Sequence, residues 1–139
     1  MRFTLDTATI KTIALAESIT HVSIMDCTNF GESIIFIVDE KDLGKALGKY
    51  GSNAKMLERL LKKKVKLVGH SEDVFAFVKS LVYPLEIEKK EEKDGILYLT
   101  GKDTQTRAML IGRNASNLRA IEEIVKRYFQ IQEIKVVQQ

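Results

Sequence analysis

The sequence predicts an α+β protein built twice on one plan. Short β-branched runs alternate with longer segments whose apolar residues recur at helical spacing, in the order helix, strand, strand, short helix, glycine loop, helix, strand, and then that order restarts. A shift of 64 residues lays Gly48 on Gly112, Lys49 on Arg113, Ser52 on Ser116, Asn53 on Asn117 and Lys62 on Lys126, with about five more residues needed to align the final strands. Such agreement of residues and element order is the mark of an internal duplication. With 45% hydrophobic residues, one proline and no low-complexity tract, the chain has the composition of a folded protein. Two units are expected, at 1–70 and 71–139, each small enough to need docking against the other.

In the first unit Asp6 or Thr7 caps a helix running to about Ser18, with Ile10, Ile13, Ala14 and Glu17 at helical spacing. The run 21–27 reads as a strand, Asn29, Phe30, Gly31 and Glu32 as a turn, and 33–38 as a second strand, together a hairpin. Asp42 is a candidate cap for a helix of one to two turns carrying Leu43, Ala46 and Leu47, which the glycines end. A helix over 52–62 follows, with Ala54, Leu57, Leu60 and Leu61 on one face, and then a strand over 65–68.

The second unit opens with a helix from Ser71 or Glu72 to about Val82, stopped by Pro84. Strands over 85–91 and 96–100 flank Asp94-Gly95, a strong hairpin signal. A short helix over 104–111, the residues Gly112, Arg113, Asn114 and Ala115, a helix over 116–129 and a strand over 134–137 complete it.

The net charge of +3 lies in the first unit, where 11 Lys+Arg face 8 Asp+Glu; the second holds 11 of each. Between Lys45 and Lys66 eight cations meet one acid, Glu58, a basic footprint around the first glycine loop. Gly48, Lys49, Tyr50 and Gly51 let the backbone turn sharply beside a helix N-terminus, whose outward amides suit a phosphate.

An enzyme is not expected. The run from Gly44 to Lys49 approximates a Walker loop, but its spacing is one residue short, Tyr50 stands where a magnesium-binding hydroxyl is needed, and no apolar strand directly precedes it. Neither His21 nor His70 sits near a nucleophile motif, so no catalytic residue is assigned. Two histidines and one cysteine offer no metal site, disulfide framework or cofactor ligand set, and Cys27 reads as a buried small side chain. No apolar run approaches the roughly 20 residues of a membrane span and no signal pattern opens the chain, so a cytoplasmic protein without membrane contact is expected.

A Gly-X-X-Gly loop between a short and a longer helix, after a hairpin, is the phosphate clamp of a KH module. The chain resembles tandem type II KH domains, and within them the archaeal NusA family, on Leu47-Gly48-Lys49-Tyr50-Gly51-Ser52-Asn53-Ala54-Lys55, on the run from Leu110 through Gly112 and Ala115 to Arg119, and on the linking segment 75–84. That resemblance covers essentially the whole chain. It implies two three-stranded mixed sheets, each with three helices on one face, held so that one RNA strand crosses both. It implies RNA contacts from Lys45, Gly48, Lys49, Tyr50, Gly51 and Lys55, and from Gly112, Arg113, Asn114, Ala115 and Arg119. Tyr50 either rims the loop or stacks on a base, and Asn53 and Asn117 either brace the loops or touch RNA.

The implied partners are single-stranded RNA and RNA polymerase, the implied role transcription termination or antitermination, and the expected state a monomer. The polymerase-binding and S1 domains of bacterial members have no counterpart here, and Ala115 replaces the family's closing glycine, which weakens the second loop. A ribosome-assembly or ribosomal KH protein, and an adaptor without RNA binding, are the competing readings.

Overall fold

A computed structural model describes residues 7–138, which fall into two compact units, one ending at Ser71 and the other beginning at Glu72. The first contains α1 (Thr7–Thr20), β1 (Asp26–Phe30), β2 (Ser33–Asp39), α2 (Leu43–Leu47), α3 (Ser52–Leu61) and β3 (Lys64–His70). The second repeats the order with α4 (Val74–Val82), β4 (Ile87–Lys93), β5 (Ile96–Gly101), α5 (Thr104–Ile111), α6 (Ser116–Lys126) and β6 (Glu133–Val137). Among the described residues the architecture is α+β, with two three-stranded mixed sheets and six helices; no helix is long and apolar enough to cross a membrane.

In the first sheet β2 is central. It runs antiparallel to β1, with Phe30 opposite Ser33, which leaves Gly31 and Glu32 as the turn and Gly31 at φ +60°. It runs parallel to β3, pairing Ile34 with Val65 and Phe36 with Leu67, so α2 and α3 form the crossover that parallel neighbours require. Ile34, Phe36 and Val38 point to one face and meet Ala16 of α1, Ala46 of α2, Leu57 of α3 and Leu67 of β3 in a common core. Cys27, half-buried, packs against that core, and burial with the Asp26 carboxylate beside it pushes its thiol up to about 11.

The second sheet follows the same pairing, β4 antiparallel and β6 parallel to β5, with Leu97 beside Ile134. Its hairpin turns on Asp94 and Gly95 at φ +54° and +79°, the paired positive angles that an Asp-Gly dipeptide favours. Six of the seven β4 residues are exposed, and they are Lys or Glu, which protects this edge from pairing with another chain. α6 packs on α4 and on β6, where Phe77 holds Tyr128 and Phe129 at centroid distances of 5.5 and 5.6 Å.

One acid does the same job in both units. Glu58 Oε2 accepts the backbone N–H of Val65 at 3.1 Å, and Glu122 Oε2 accepts that of Ile134 at 2.8 Å. Each carboxylate fastens the longer helix to the start of the strand after it. Glu122 also receives Arg119 Nη1 at 3.1 Å and lies 3.9 Å from Lys126 Nζ.

Several local expectations change. The Asp6 cap lies outside the described residues. α1 runs on to Thr20, with Ile10 and Ala14 exposed and Ala16 and Thr20 buried; the Thr20 hydroxyl donates to Ala16 O at 2.8 Å, so a polar residue closes the inner face. The β-branched run from His21 is an irregular strap rather than a strand, with His21 at φ +60° and a bend at Val22: Val22 and Ile24 cover the core, Ile24 N–H goes to Glu17 Oε2 at 2.9 Å, and the ladder starts only at Asp26. Asp42 makes no side-chain cap; Asp39 takes the Lys41 N–H at 3.0 Å and opens a single 3-10 turn over Glu40–Asp42. Leu60 is 53% exposed, off the inner face of α3. α4 starts at Val74, capped by Asp73 through Phe75 N–H at 3.1 Å, and α6 ends at Lys126 rather than Phe129, the chain going on in a turn in which Tyr128 and Phe129 N–H both donate to Val125 O and both rings pack on Phe77.

Candidate functional site

The two glycine loops have one backbone. Gly48 stands at φ 74°, ψ 178° and Gly112 at φ 74°, ψ 176°, a region that is essentially closed to side-chain-bearing residues. The third positions, Tyr50 and Asn114, are left-handed at φ 57°, ψ 28° and φ 55°, ψ 33°, and the fourth, Gly51 and Ala115, at φ 70°, ψ 23° and φ 61°, ψ 23°. Gly48 N–H closes α2 onto Gly44 O at 3.2 Å and Gly112 N–H closes α5 onto Ala108 O at 2.8 Å. Gly51 and Ala115 then donate back to Gly48 O and Gly112 O at 3.2 and 3.3 Å.

Asn53 and Asn117 hold these turns in place. Asn53 Nδ2 donates to Ala46 O at 3.0 Å and Asn117 Nδ2 to Met109 O at 2.9 Å, satisfying carbonyls that the short helices leave open. The same side chains explain the first glycine. A Cβ on Gly48 would lie 2.9 Å from Asn53 Nδ2 and from Ser52 Oγ, and one on Gly112 would lie 2.7 Å from Asn117 Cγ.

The fourth position differs in kind: a Cβ on Gly51 meets nothing within 4 Å. Its backbone asks only for the left-handed conformation, which costs alanine about 1–2 kcal/mol and creates no clash. Ala115 shows that this cost is borne in the second loop. The open space beside Gly51 is room for a ligand to approach the backbone. Neither α3 nor α6 has a side-chain cap on its first turn; the Ser52 and Ser116 N–H groups close back onto Lys49 O and Arg113 O, and the first-turn amides after them lie at the positive end of the helix.

The electrostatics separate the loops. Around the first, Lys45, Lys49 and Lys55 are exposed, and among the described residues none pairs with a carboxylate within 4.0 Å. Lys49 Nζ lies 5.5 Å from the centroid of the Tyr50 ring, and Tyr50 is 85% exposed. Arg59, Lys62, Lys63 and Lys64 extend this exposed charge, whereas Lys66 does not: it is half-buried in β3, and desolvation brings its ammonium down to about 8.

Around the second loop Arg113 and Asn114 are exposed, but Arg119, the counterpart of Lys55, is engaged with Glu122, and the position matching Lys45 is Met109. The structure thus gathers Lys45, Gly48, Lys49, Tyr50, Gly51 and Lys55 at one helix-loop-helix turn, and Gly112, Arg113, Asn114, Ala115 and Arg119 at the other. The Glu58 and Glu122 fasteners were missed from the sequence, although both acids fall in register under the 64-residue shift. Among the described residues, no three His, Cys, Asp or Glu side chains gather to hold a metal ion.

No protein-family model matches the chain. A protein of Methanococcus vannielii named probable transcription termination protein NusA is 36% identical over 141 residues, spanning 99% of this chain and 81% of that protein. The protein of the same name from Methanocaldococcus jannaschii is 33% identical over 137 residues, covering 96% of this chain and 74% of its own. That of Halococcus morrhuae is 26% identical over 139 residues, covering 98% and 99%. Among solved structures, the crystal structure of APE1850 superposes with a TM-score of 0.70 over 96% of this chain and 100% of that one; at 23% identity the likeness speaks to the fold.

Proposed function

The chain belongs to the archaeal NusA family, and from that premise we propose that it binds single-stranded RNA through loops 48–51 and 112–115 and acts in transcription termination or antitermination. On this reading the two units are type II KH domains, at 1–70 and 71–139. The observation that carries the proposal is the recurrence of one backbone, angle for angle, at two turns 64 residues apart, each opening an uncapped helix.

The chemistry is that of a phosphodiester clamp. First-turn amides of α3 and α6 donate to phosphate oxygens, and the glycine-lined side of the first loop lets the RNA backbone come close. Lys49 and Arg113 neutralise the bound phosphate, and Lys45 and Lys55 extend the first grip along the strand. The first loop is the stronger, because its cations are unshared and no methyl group stands in the approach; the second, with Ala115 in the approach and Arg119 drawn to Glu122, fixes direction and register. The protein works as a monomer, with RNA polymerase as its second partner, and co-purification of polymerase subunits rather than ribosomal particles checks that part.

The RNA claim is tested by reversing the charge of the loop. The double variant Lys49→Asp, Tyr50→Asp is expected to keep its circular dichroism spectrum and to bind single-stranded RNA at least about tenfold more weakly at modest salt. An intact fold with unchanged affinity would remove loop 48–51 as the site.

A further inference from the structure

We propose that Tyr50 is a stacking platform for one nucleobase beside the phosphate held by loop 48–51, so that the first loop grips base and backbone while the second grips backbone alone. This rests on the RNA-binding reading above and assigns a second contact to the same loop.

Tyr50 is poorly suited to its position on structural grounds. A bulky residue at φ +57° is an outlier, and the left-handed region is better served by Asn, Asp or Gly. The second loop has that better choice: Asn114 occupies the same conformation. The backbone therefore does not require tyrosine. Nor does packing, since Tyr50 is 85% exposed and, among the described residues, its ring and hydroxyl make no hydrogen bond or ring contact beyond the Lys49 ammonium 5.5 Å from its centroid. A large aromatic surface held in water in a costly conformation is the kind of outlier from which a function is inferred.

The surroundings select the occupant. Lys45, Lys49 and Lys55 lie on the same turn without carboxylate partners, and the space beside Gly51 is open, so an anionic strand is the ligand this turn attracts. A base joined to the clamped phosphate, or to the next one, then lies within reach of the ring. Every base has a π-face, so the contact tolerates sequence while adding affinity. An apolar protein partner would instead find its aromatic anchor ringed by unpaired ammonium groups.

The test uses the full chain, a 12-nucleotide oligouridylate, and an oligomer of equal length lacking bases. Tyr50→Ala and Tyr50→Asn are expected to bind oligouridylate roughly 5- to 150-fold more weakly, and Tyr50→Phe to restore binding, because stacking needs the ring and not the hydroxyl. The slope of log affinity against log salt stays unchanged in these variants, whereas Lys49→Ala reduces its magnitude by about 0.7, as one lost phosphate contact requires. Wild type and Tyr50→Asn are expected to bind the baseless oligomer equally. Tyr50→Asn places in the first loop the residue that already adopts this conformation in the second, so its fold is kept and its thermal midpoint is equal or higher.

Unchanged affinity of Tyr50→Asn for oligouridylate, while Lys49→Asp with Tyr50→Asp abolishes binding, would overturn the stacking role and leave the clamp standing. Equal weakening on the baseless oligomer would also overturn it. Absence of binding by the wild type to either oligomer at low salt would remove the RNA reading itself.

Discussion

Replacing Gly48 and Gly51 separately by alanine applies one chemical change three residues apart, and the structure assigns the two changes very different costs. At Gly48 the backbone (φ 74°, ψ 178°) excludes side-chain-bearing residues, a strain of about 1–3 kcal/mol. The new Cβ also lies 2.9 Å from Asn53 Nδ2, so Asn53 must withdraw from Ala46 O, a loss of about 0.5–1.5 kcal/mol. Alanine stiffens the unfolded chain and returns about 0.4–1 kcal/mol. The net destabilisation is about 2–3 kcal/mol. At Gly51 the Cβ enters open space, and a left-handed alanine costs about 1–2 kcal/mol against the same return, leaving about 0.5–1 kcal/mol. Urea unfolding followed by circular dichroism reads both as shifts of the midpoint at constant slope. Equal destabilisation by the two variants, or a larger loss at Gly51, would refute the account of why the second loop tolerates Ala115 and keeps Gly112.

Three further outcomes follow from the geometry. Glu122→Ala leaves the Ile134 N–H without its acceptor and is expected to cost about 1–3 kcal/mol, with faster hydrogen exchange at that amide; Glu58→Ala, whose carboxylate holds a less buried N–H, costs less. With Lys45, Lys49, Lys55 and Arg113 as the unshared cations, the log-log salt slope of RNA binding is expected near −3, from about −0.7 per contact on a single strand, and a flat dependence would contradict the electrostatic grip. Lys66 is held at about 8 against an unperturbed 10.5 by burial, so between those values the unfolded chain binds more protons and stability rises with pH. In Lys66→Met that rise is expected to diminish, with higher stability at pH 7, as read by urea midpoints at pH 7 and 9.5.

The sequence shows the plan of the fold where its signals are local and redundant. Asp94-Gly95 places the second hairpin because few dipeptides accept two positive φ angles, and Asp103 before Thr104 starts α5 where expected because the cap bond to Thr106 N–H is local. The glycine loops were legible because Gly48 and Gly112 sit where a side chain is sterically excluded, and the duplication displays that demand twice. What was not legible depends on distant partners. Val22 and Ile24 have strand-forming side chains, but Glu17 captures the Ile24 N–H and the run becomes a strap. Glu58 and Glu122 look like ordinary surface acids until β3 and β6 bring an N–H to each. Lys66 counts as part of a basic band until the sheet half-buries it. Asn53 and Asn117, for which the sequence allowed either bracing the loops or touching RNA, do brace them: each Nδ2 donates to a carbonyl of the preceding short helix.

The claim that RNA is held at the two glycine loops is tested most directly by titrating isotope-labelled protein with a single-stranded RNA oligomer and following each backbone amide by NMR. The account predicts that the amides of residues 48–52 and 112–116 shift most, and that the first set saturates at lower RNA concentration than the second. Largest shifts elsewhere, for example along the Lys- and Glu-rich β4 edge, with both loops unmoved, would contradict it.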